Sequence, residues 1–505
     1  MEITRPMPYA ANYAPEYFEQ AYNQFLQRYP TYASTIKLDE LRLNDYSRLD
    51  KQKQVYLDYT GGGLHAESQV RKHLDLLTNQ VFGNPHSHNP TSLAMTELVE
   101  KARHYVLEFF HAPVDEYTAI FTSNASGALK LVGESYPFTN SSHYVLAFDN
   151  HNSVNGIREF ARARGAKVSY IPVTPPELRL DTQALTIALK QIDKNVANLF
   201  AFPAQSNFSG VQHPLDHIYF AQQLGWDVLI DIAAFAPTNH FDISRWKPDF
   251  AVLSFYKIFG YPTGLGCLLA RREKLSKLVR PWFAGGTITI ASVQGDGYYL
   301  HDNEAGFEDG TVDYLNIPAI ETGLRHIQST GIDTIHERVM CLTGWLLDEL
   351  NSLHHENGRP LVHIHGPRST EQRGGTITIS VLDVNGIVID DRRIEELANY
   401  QHISLRTGCF CNPGAGEIAH GLSGREMQSF FKQGGRVSFL ELKHRMQQSY
   451  SKNISSVRIS TGIASNFQDV FSFIQFISGF LNKTAEEIGK VSYDMIAPHM
   501  ERDTA

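Results

Sequence analysis

Seven short apolar runs between residues 117 and 270 constrain this chain more than any other feature of its sequence. Tyr117 to Thr122, His143 to Phe148, Lys167 to Ile171, Asn198 to Phe202, Trp226 to Asp231, Phe250 to Phe255 and Gly266 to Ala270 are rich in β-branched and aromatic residues and too short for helices. Amphipathic stretches such as Gly156 to Arg164 and Leu215 to Leu224 separate several of them. Strands alternating with helices predict an α/β fold: a mainly parallel seven-stranded sheet with helices on both faces. Ligands of such sheets sit at the carboxyl ends of the strands. Ser123, His151, Asn207, Asp231 and Lys257 all fall at those ends, and their convergence carries more than any one of them.

The sixth run opens the most informative stretch, Asp249-Phe-Ala-Val-Leu-Ser-Phe-Tyr-Lys-Ile-Phe-Gly-Tyr-Pro-Thr-Gly-Leu-Gly266. A lysine leaving a buried strand for a glycine-rich loop is partly desolvated, which lowers its pKa and makes its amine nucleophilic. Lys257 is thereby a candidate Schiff-base lysine. Ser254-x-x-Lys257 also suits a serine acyl-enzyme, but the Lys-Thr-Gly element that accompanies that chemistry is absent from the chain. Upstream, Ser123-Asn-Ala-Ser-Gly127 follows a strand and opens a helix, gathering free backbone N–H groups at one point suited to a phosphate. Asp231 closes a wholly apolar strand, as a helix cap or as the partner of a buried cation.

A second centre is Arg406-Thr-Gly-Cys-Phe-Cys-Asn-Pro-Gly-Ala-Gly416. Two cysteines in a glycine- and proline-rich loop are expected to be exposed, and Arg406 favours a thiolate. The other two cysteines, Cys267 and Cys341, are isolated in sequence, so neither a zinc site nor a disulfide framework is expected. His86 and His88 stand in a turn-rich loop without paired ligands and are read as solvated; no metal site is expected.

With 505 residues, two domains are expected. The divisions are an N-terminal arm over 1–50, a large domain over 51–335 and a smaller C-terminal α+β domain over 336–505. The helical region starting at Pro318, with a break near Gly331, carries the hinge. Tyr17, Phe18, Ala21, Phe25 and Leu26 lie near helical spacing and predict a short docking helix. Between Ala415 and Tyr450 the sequence carries no readable pattern. A net charge of −9 speaks against nucleic-acid and anionic-membrane partners. No signal peptide or membrane span is read, and few cysteines suit a cytoplasmic protein.

Taken together, these motifs resemble the class V aminotransferase-fold enzymes that depend on pyridoxal 5'-phosphate, and among them the cysteine desulfurases. The wording of Ser254 to Gly266, of Phe307-Glu-Asp-Gly-Thr311 and of Arg406 to Ala415 is most similar to the N-terminal domain of molybdenum cofactor sulfurases. The likeness implies fold type I and a set of roles. Lys257 would hold the cofactor covalently, and Asp231 would pair with its pyridine nitrogen. His151 would stack on the ring, and Asn207 would lie beside the phenolic oxygen. Asn124, Ala125, Ser126 and Ser254 would cradle the phosphate, with Thr311 reaching the phosphate of a neighbouring subunit in a homodimer. Arg458 would grip the substrate carboxylate, and Cys411 would be the nucleophile that takes sulfur from L-cysteine, leaving alanine and a persulfide. The sulfur acceptor, a protein or the molybdenum cofactor, stays open.

Three positions depart from the pattern: Gly416 replaces a cysteine, Ala234 a glutamine and Tyr256 the histidine before the lysine. A lyase, epimerase or aminotransferase acting on another amino acid, with Cys411 incidental, remains the alternative. A non-catalytic scaffold would have no use for Lys257, Asp231, His151, Arg458 and Cys411 together.

Overall fold

The computed structural model describes residues 15–431 and 437–492; Lys432 to Arg436, inside the unpatterned segment, and both chain ends fall outside it. The central sheet consists of β1 (Tyr117–Thr122), β2 (His143–Ala147), β3 (Lys167–Ile171), β4 (Leu199–Pro203), β5 (Asp227–Asp231), β6 (Phe250–Ser254) and β7 (Gly266–Arg271). Their order is β1-β7-β6-β5-β4-β2-β3, and β7 runs antiparallel between β1 and β6 while the other neighbours pair in parallel. Every residue of β2, β4 and β6 is buried, which is why these strands read as unbroken apolar runs rather than as an alternation. Helices cover both faces, and two apolar clusters form on the two sides of the sheet.

A second, four-stranded sheet is built from β8 (Val362–His365), β9 (Thr376–Val381), β10 (Arg406–Gly408) and β11 (Ser456–Ser460), all antiparallel, in the order β8-β9-β11-β10. Its core is a separate cluster that includes Phe471, Ile474 and Ile477. The helix Phe18–Arg28 docks here. Phe25 stacks on Phe467 at 4.6 Å and meets Tyr32 edge-on at 4.7 Å. Burying one such phenylalanine is worth about 1.5–3 kcal/mol. The chain then adds the strand Val55–Tyr56 parallel to Ile403–Ser404, and a further bridge sets Asp58 beside Ser460. Helices Pro318–Thr330 and Ile332–Ser352 follow the large sheet, broken at Gly331. Helix Pro413–Ala419 enters the unpatterned segment and packs Ala415, Ile418 and Ala419 on the large core, while Gly424–Phe431 and Phe439–Tyr450 contribute Phe430 and Met446 to a small cluster with Ile454. A hairpin of Ile288–Ser292 and Gly297–Leu300 was not expected; its side chains are largely exposed, so it lacks a buried apolar run. No helix among the described residues is long and apolar enough to cross a membrane.

His363, His365 and His420 lie in a row beneath the cysteine segment, with ring centroids 4.8 and 5.0 Å apart. His365 Nε2 meets Ser380 Oγ at 2.8 Å and His420 Nε2 meets Ser456 Oγ at 3.0 Å. Burial lowers the pKa of all three, His420 to about 4 and His365 well below its ordinary 6.5, and neighbouring positive groups add to it. Between those values the unfolded chain binds more protons than the folded one, so stability falls as pH drops below 6.5. Denaturation midpoints are therefore expected to fall from about pH 7 to about pH 5. His420→Asn should flatten that slope; an unchanged slope would remove these imidazoles as its cause.

Candidate active site

Three adjacent parallel strands end at one place. The register pairs Pro203 with Asp231 and Asp231 with Val252, so the ends of β4, β5 and β6 deliver Pro203, Asp231 and Ser254 side by side. A cavity of about 170 Å³ opens there. Asn124, Ala125, Ser126, His151, Asn207, Asp231, Ser254 and Lys257 all line it, together with Gln205, Tyr256 and the apolar Leu129, Pro203, Ala233 and Ala234.

Lys257 sits on a single helical turn, Phe255–Phe259, rather than in the loop the sequence suggested. Its amine has no hydrogen-bond or ion-pair partner among the described residues. Burial lowers its pKa; Asp231 opposes that effect, and the positive Arg458 and Arg406 reinforce it. A lysine held in this way carries a larger share of neutral, nucleophilic amine than one in water. Asp231, 8% exposed, accepts the Ala233 backbone N–H on Oδ1 at 2.9 Å and faces the cavity. His151 caps the helical turn Asn152–Asn155, its Nδ1 accepting the Ser153 N–H at 3.1 Å. Burial lowers the pKa of this imidazole, so the ring is neutral with its proton on Nε2.

The opposite rim is the start of helix Ala125–Ser135. Asn124 Oδ1 accepts the Gly127 N–H and Ser254 Oγ accepts the Ala125 N–H, both at 2.9 Å, while Ser126 Oγ meets Ser153 Oγ at 2.5 Å. The helix start lies against the beginning of β7: a Cβ on Gly266 would run into the backbone of Asn124 and Ala125. Hydroxyls and the positive end of the helix at this rim are suited to an anion.

The remaining expected residues do not line this cavity. Thr311 is exposed and borders a neighbouring one with Ser123, Gly127 and Lys130. Arg458 is 2% exposed; it donates from Nη1 to the Asn207 carbonyl and from Nη2 to Asp58 Oδ1, both at 3.0 Å, and its Nε is unpartnered among the described residues. Arg406 also grips Asp58, from Nε at 2.9 Å and from Nη2 at 2.7 Å. Asp58 therefore fixes two arginines, and Arg406, expected to act on the thiols, is committed to that carboxylate.

Cys411 is exposed, and Cys409 is half-buried with its thiol pKa raised by burial. The two lie in a tight turn closed by the Asn412 N–H to Cys409 carbonyl bond of 3.0 Å, with φ of +55° at Phe410 and +53° at Cys411. Two non-glycine residues at left-handed values cost about 1–3 kcal/mol each, so the surroundings must hold them. They do. The Cys411 carbonyl accepts the Asn152 N–H at 2.7 Å, the Phe410 carbonyl accepts from Asn207 Nδ2 at 2.7 Å, and the Phe410 ring lies under the Arg458 guanidinium at 4.7 Å. The turn that exposes the thiol is thus anchored through its backbone to Asn207, which lines the cavity, and to Asn152, next to His151.

Sequence reasoning missed Asp58, Gln205 and Asn412. Asp58 had a signal, a carboxylate ending an apolar run before Gly61-Gly62-Gly63; a Cβ on Gly61 would collide with its oxygens. Gln205 had none.

The sequence profile of the Aminotransferase class-V family matches residues 55–472. The molybdenum cofactor sulfurase of Solanum lycopersicum is 35% identical over 495 residues, covering 91% of this chain and 59% of that protein. Its Homo sapiens namesake is 35% identical over 462 residues, covering 87% and 51%. The chain thus spans between about half and three fifths of the length of these relatives. Among solved structures, a cysteine desulfurase of Thermococcus onnurineus NA1 superimposes with a TM-score of 0.70 at 22% identity, over 87% of this chain and 97% of that one. One from Escherichia coli does so at 0.68 and 20%, over 89% and 98%. The sheet order, the cavity at its carboxyl edge and the profile match agree: the chain belongs to the class-V aminotransferase family.

Proposed function

We propose that this chain is a pyridoxal 5'-phosphate-dependent, cysteine desulfurase-like enzyme that converts L-cysteine to alanine and stores the sulfur as a persulfide on Cys411. The observation that carries the reading is the joining of two chemistries: a lysine with no partner among the described residues and a carboxylate line one cavity, and the backbone turn that exposes the Cys411 thiol is hydrogen-bonded to Asn207 at that cavity. The residues fit the cofactor. Lys257 offers an amine to its carbonyl carbon, Asp231 a carboxylate to its ring nitrogen, and Asn124, Ala125, Ser126 and Ser254 a phosphate cradle. Bound there, the cofactor supplies an electron sink for a carbanion at the substrate Cα.

The chain's own groups do the rest. Arg458 orients the substrate carboxylate, and the Lys257 amine takes the Cα proton. The Cys411 thiolate attacks the substrate sulfur: the new S–S bond forms as the Cβ–S bond breaks, its electron pair goes to Cβ, and protonation at Cβ followed by return of the proton from Lys257 to Cα yields alanine. His151, neutral and bearing its proton on Nε2, would pack on the cofactor ring when it is bound. Thr311, exposed and away from the cavity it would serve, suits a homodimer in which each copy reaches the other's phosphate rim. The free thiols suit a reducing compartment such as the cytosol. The relatives' names point to the molybdenum cofactor as sulfur acceptor, a step separate from persulfide formation.

Purified protein loaded with pyridoxal 5'-phosphate is expected to release alanine from L-cysteine and to carry one sulfane sulfur, mapped by peptide mass to Cys411. Absence of alanine, with turnover of a different amino acid, would replace this reading by the alternative substrate class.

A further inference from the structure

Asn412, next in sequence to Cys411, is fully buried, and both hydrogens and the oxygen of its amide have definite partners. Its two Nδ2 hydrogens go to the Asp149 carbonyl at 2.7 Å and to Asn207 Oδ1 at 2.9 Å. Its Oδ1 accepts the Ala415 N–H at 3.2 Å, capping helix Pro413–Ala419. The bond to Asn207 decides which way the Asn207 amide points. Turned over, that amide would set its nitrogen against the Asn412 nitrogen and its oxygen against the Phe410 carbonyl, two donors facing each other and two acceptors facing each other. As it stands, one Asn207 N–H goes to the Phe410 carbonyl, and the other has no partner among the described residues while the residue lines the cavity.

We propose that Asn412 is a positioning residue that holds, through one side-chain amide, both the left-handed turn presenting Cys411 and the orientation of Asn207 that turns an N–H donor toward the cofactor. This rests on the cofactor and thiol roles proposed above and adds their mechanical link. The turn that carries the thiol and the Asn207 donor proposed for the phenolic oxygen are tied by one hydrogen-bonded unit, Asp149–Asn412–Asn207–Phe410. The same turn touches the substrate side through Phe410 under Arg458. A change at either end therefore moves the other.

The test separates this role from plain helix capping. Asn412→Ala removes every bond; Asn412→Ser keeps an oxygen able to cap Ala415 but cannot reach across to Asn207. Two readouts are taken in the absence of substrate. In cofactor-free protein, deuterium uptake at the amides of residues 409–412 is expected to quicken by ~10-fold or more in both variants. In cofactor-loaded protein, the pH midpoint of the visible absorbance is expected to rise by about half a unit or more, because a donor to the deprotonated phenolic oxygen has been lost. Wild-type behaviour of Asn412→Ser in both readouts would reduce Asn412 to a cap and overturn the proposal, as would wild-type behaviour of both variants. If Asn412→Ala does not fold, Asn412→Ser carries the same two outcomes. A wild-type protein that releases no alanine from cysteine would defeat the desulfurase reading while leaving the amide-exchange result to judge Asn412.

Discussion

Replacing Lys257 with alanine is expected to lower alanine release from L-cysteine by roughly four orders of magnitude and to abolish the visible absorbance of cofactor-loaded protein. Both losses have one origin. The amine lines the cavity with no partner of its own, and burial holds its pKa below the ordinary lysine value. It is therefore available both as the covalent anchor and as the base for the Cα proton. No other lysine lines that cavity, so no neighbour can take over either task. The fold should persist, since among the described residues Lys257 makes no hydrogen bond or ion pair that its loss would break, and an unchanged denaturation midpoint of the cofactor-free protein would confirm that the defect is chemical. Borohydride reduction followed by peptide mapping gives the direct check: wild type retains cofactor mass on the Lys257 peptide and the variant retains none. A variant keeping more than about a hundredth of the turnover would mean that the proton is moved by another group.

The sheet and most of its cavity were legible because their signals are local. A strand buried on both faces is a run of apolar residues wherever it occurs, and its carboxyl end is a fixed position in the run. Ser254, Asp231 and Lys257 could be read from those ends alone. What escaped depends on contacts between distant parts of the chain. Asp58 acquires its meaning from arginines 348 and 400 positions away, brought to it when Val55–Tyr56 pairs with Ile403–Ser404 and Asp58 bridges to Ser460. The left-handed turn at Phe410 and Cys411 contradicts local preference, which would put glycine or asparagine there. It survives because Asn152, Asn207 and Asn412 hold its carbonyls and its flank. The segment from Ala415 to Tyr450 failed for another reason. Gly424–Phe431 and Phe439–Tyr450 lean on a cluster of only three buried side chains, so their apolar signal is weak. The relatives' resemblance supplied roles for residues; it did not supply the bonds between them.

Cys411→Ala is expected to separate the two halves of the reaction. The variant should bind cofactor as wild type does and should respond spectrally to L-cysteine, because Lys257, Asp231 and the phosphate rim are untouched. It should carry no sulfane sulfur, and its alanine release should fall by about a hundredfold or more, since the Cβ–S bond breaks only when a thiolate is placed on the substrate sulfur. Cys409 is too near in sequence to be dismissed without argument. Burial raises its thiol pKa, so at neutral pH it is protonated and a poor nucleophile, and it lies half-buried at the closed end of the turn whose far side exposes Cys411. Cys409→Ala should therefore keep most of the bound sulfur. Sulfur retained by Cys411→Ala and lost in Cys409→Ala would reverse the assignment and place the reactive thiol on the buried side of the turn. Sulfur retained in both single variants would move the chemistry off this turn altogether, and with it the reason for holding two left-handed residues beside the cavity.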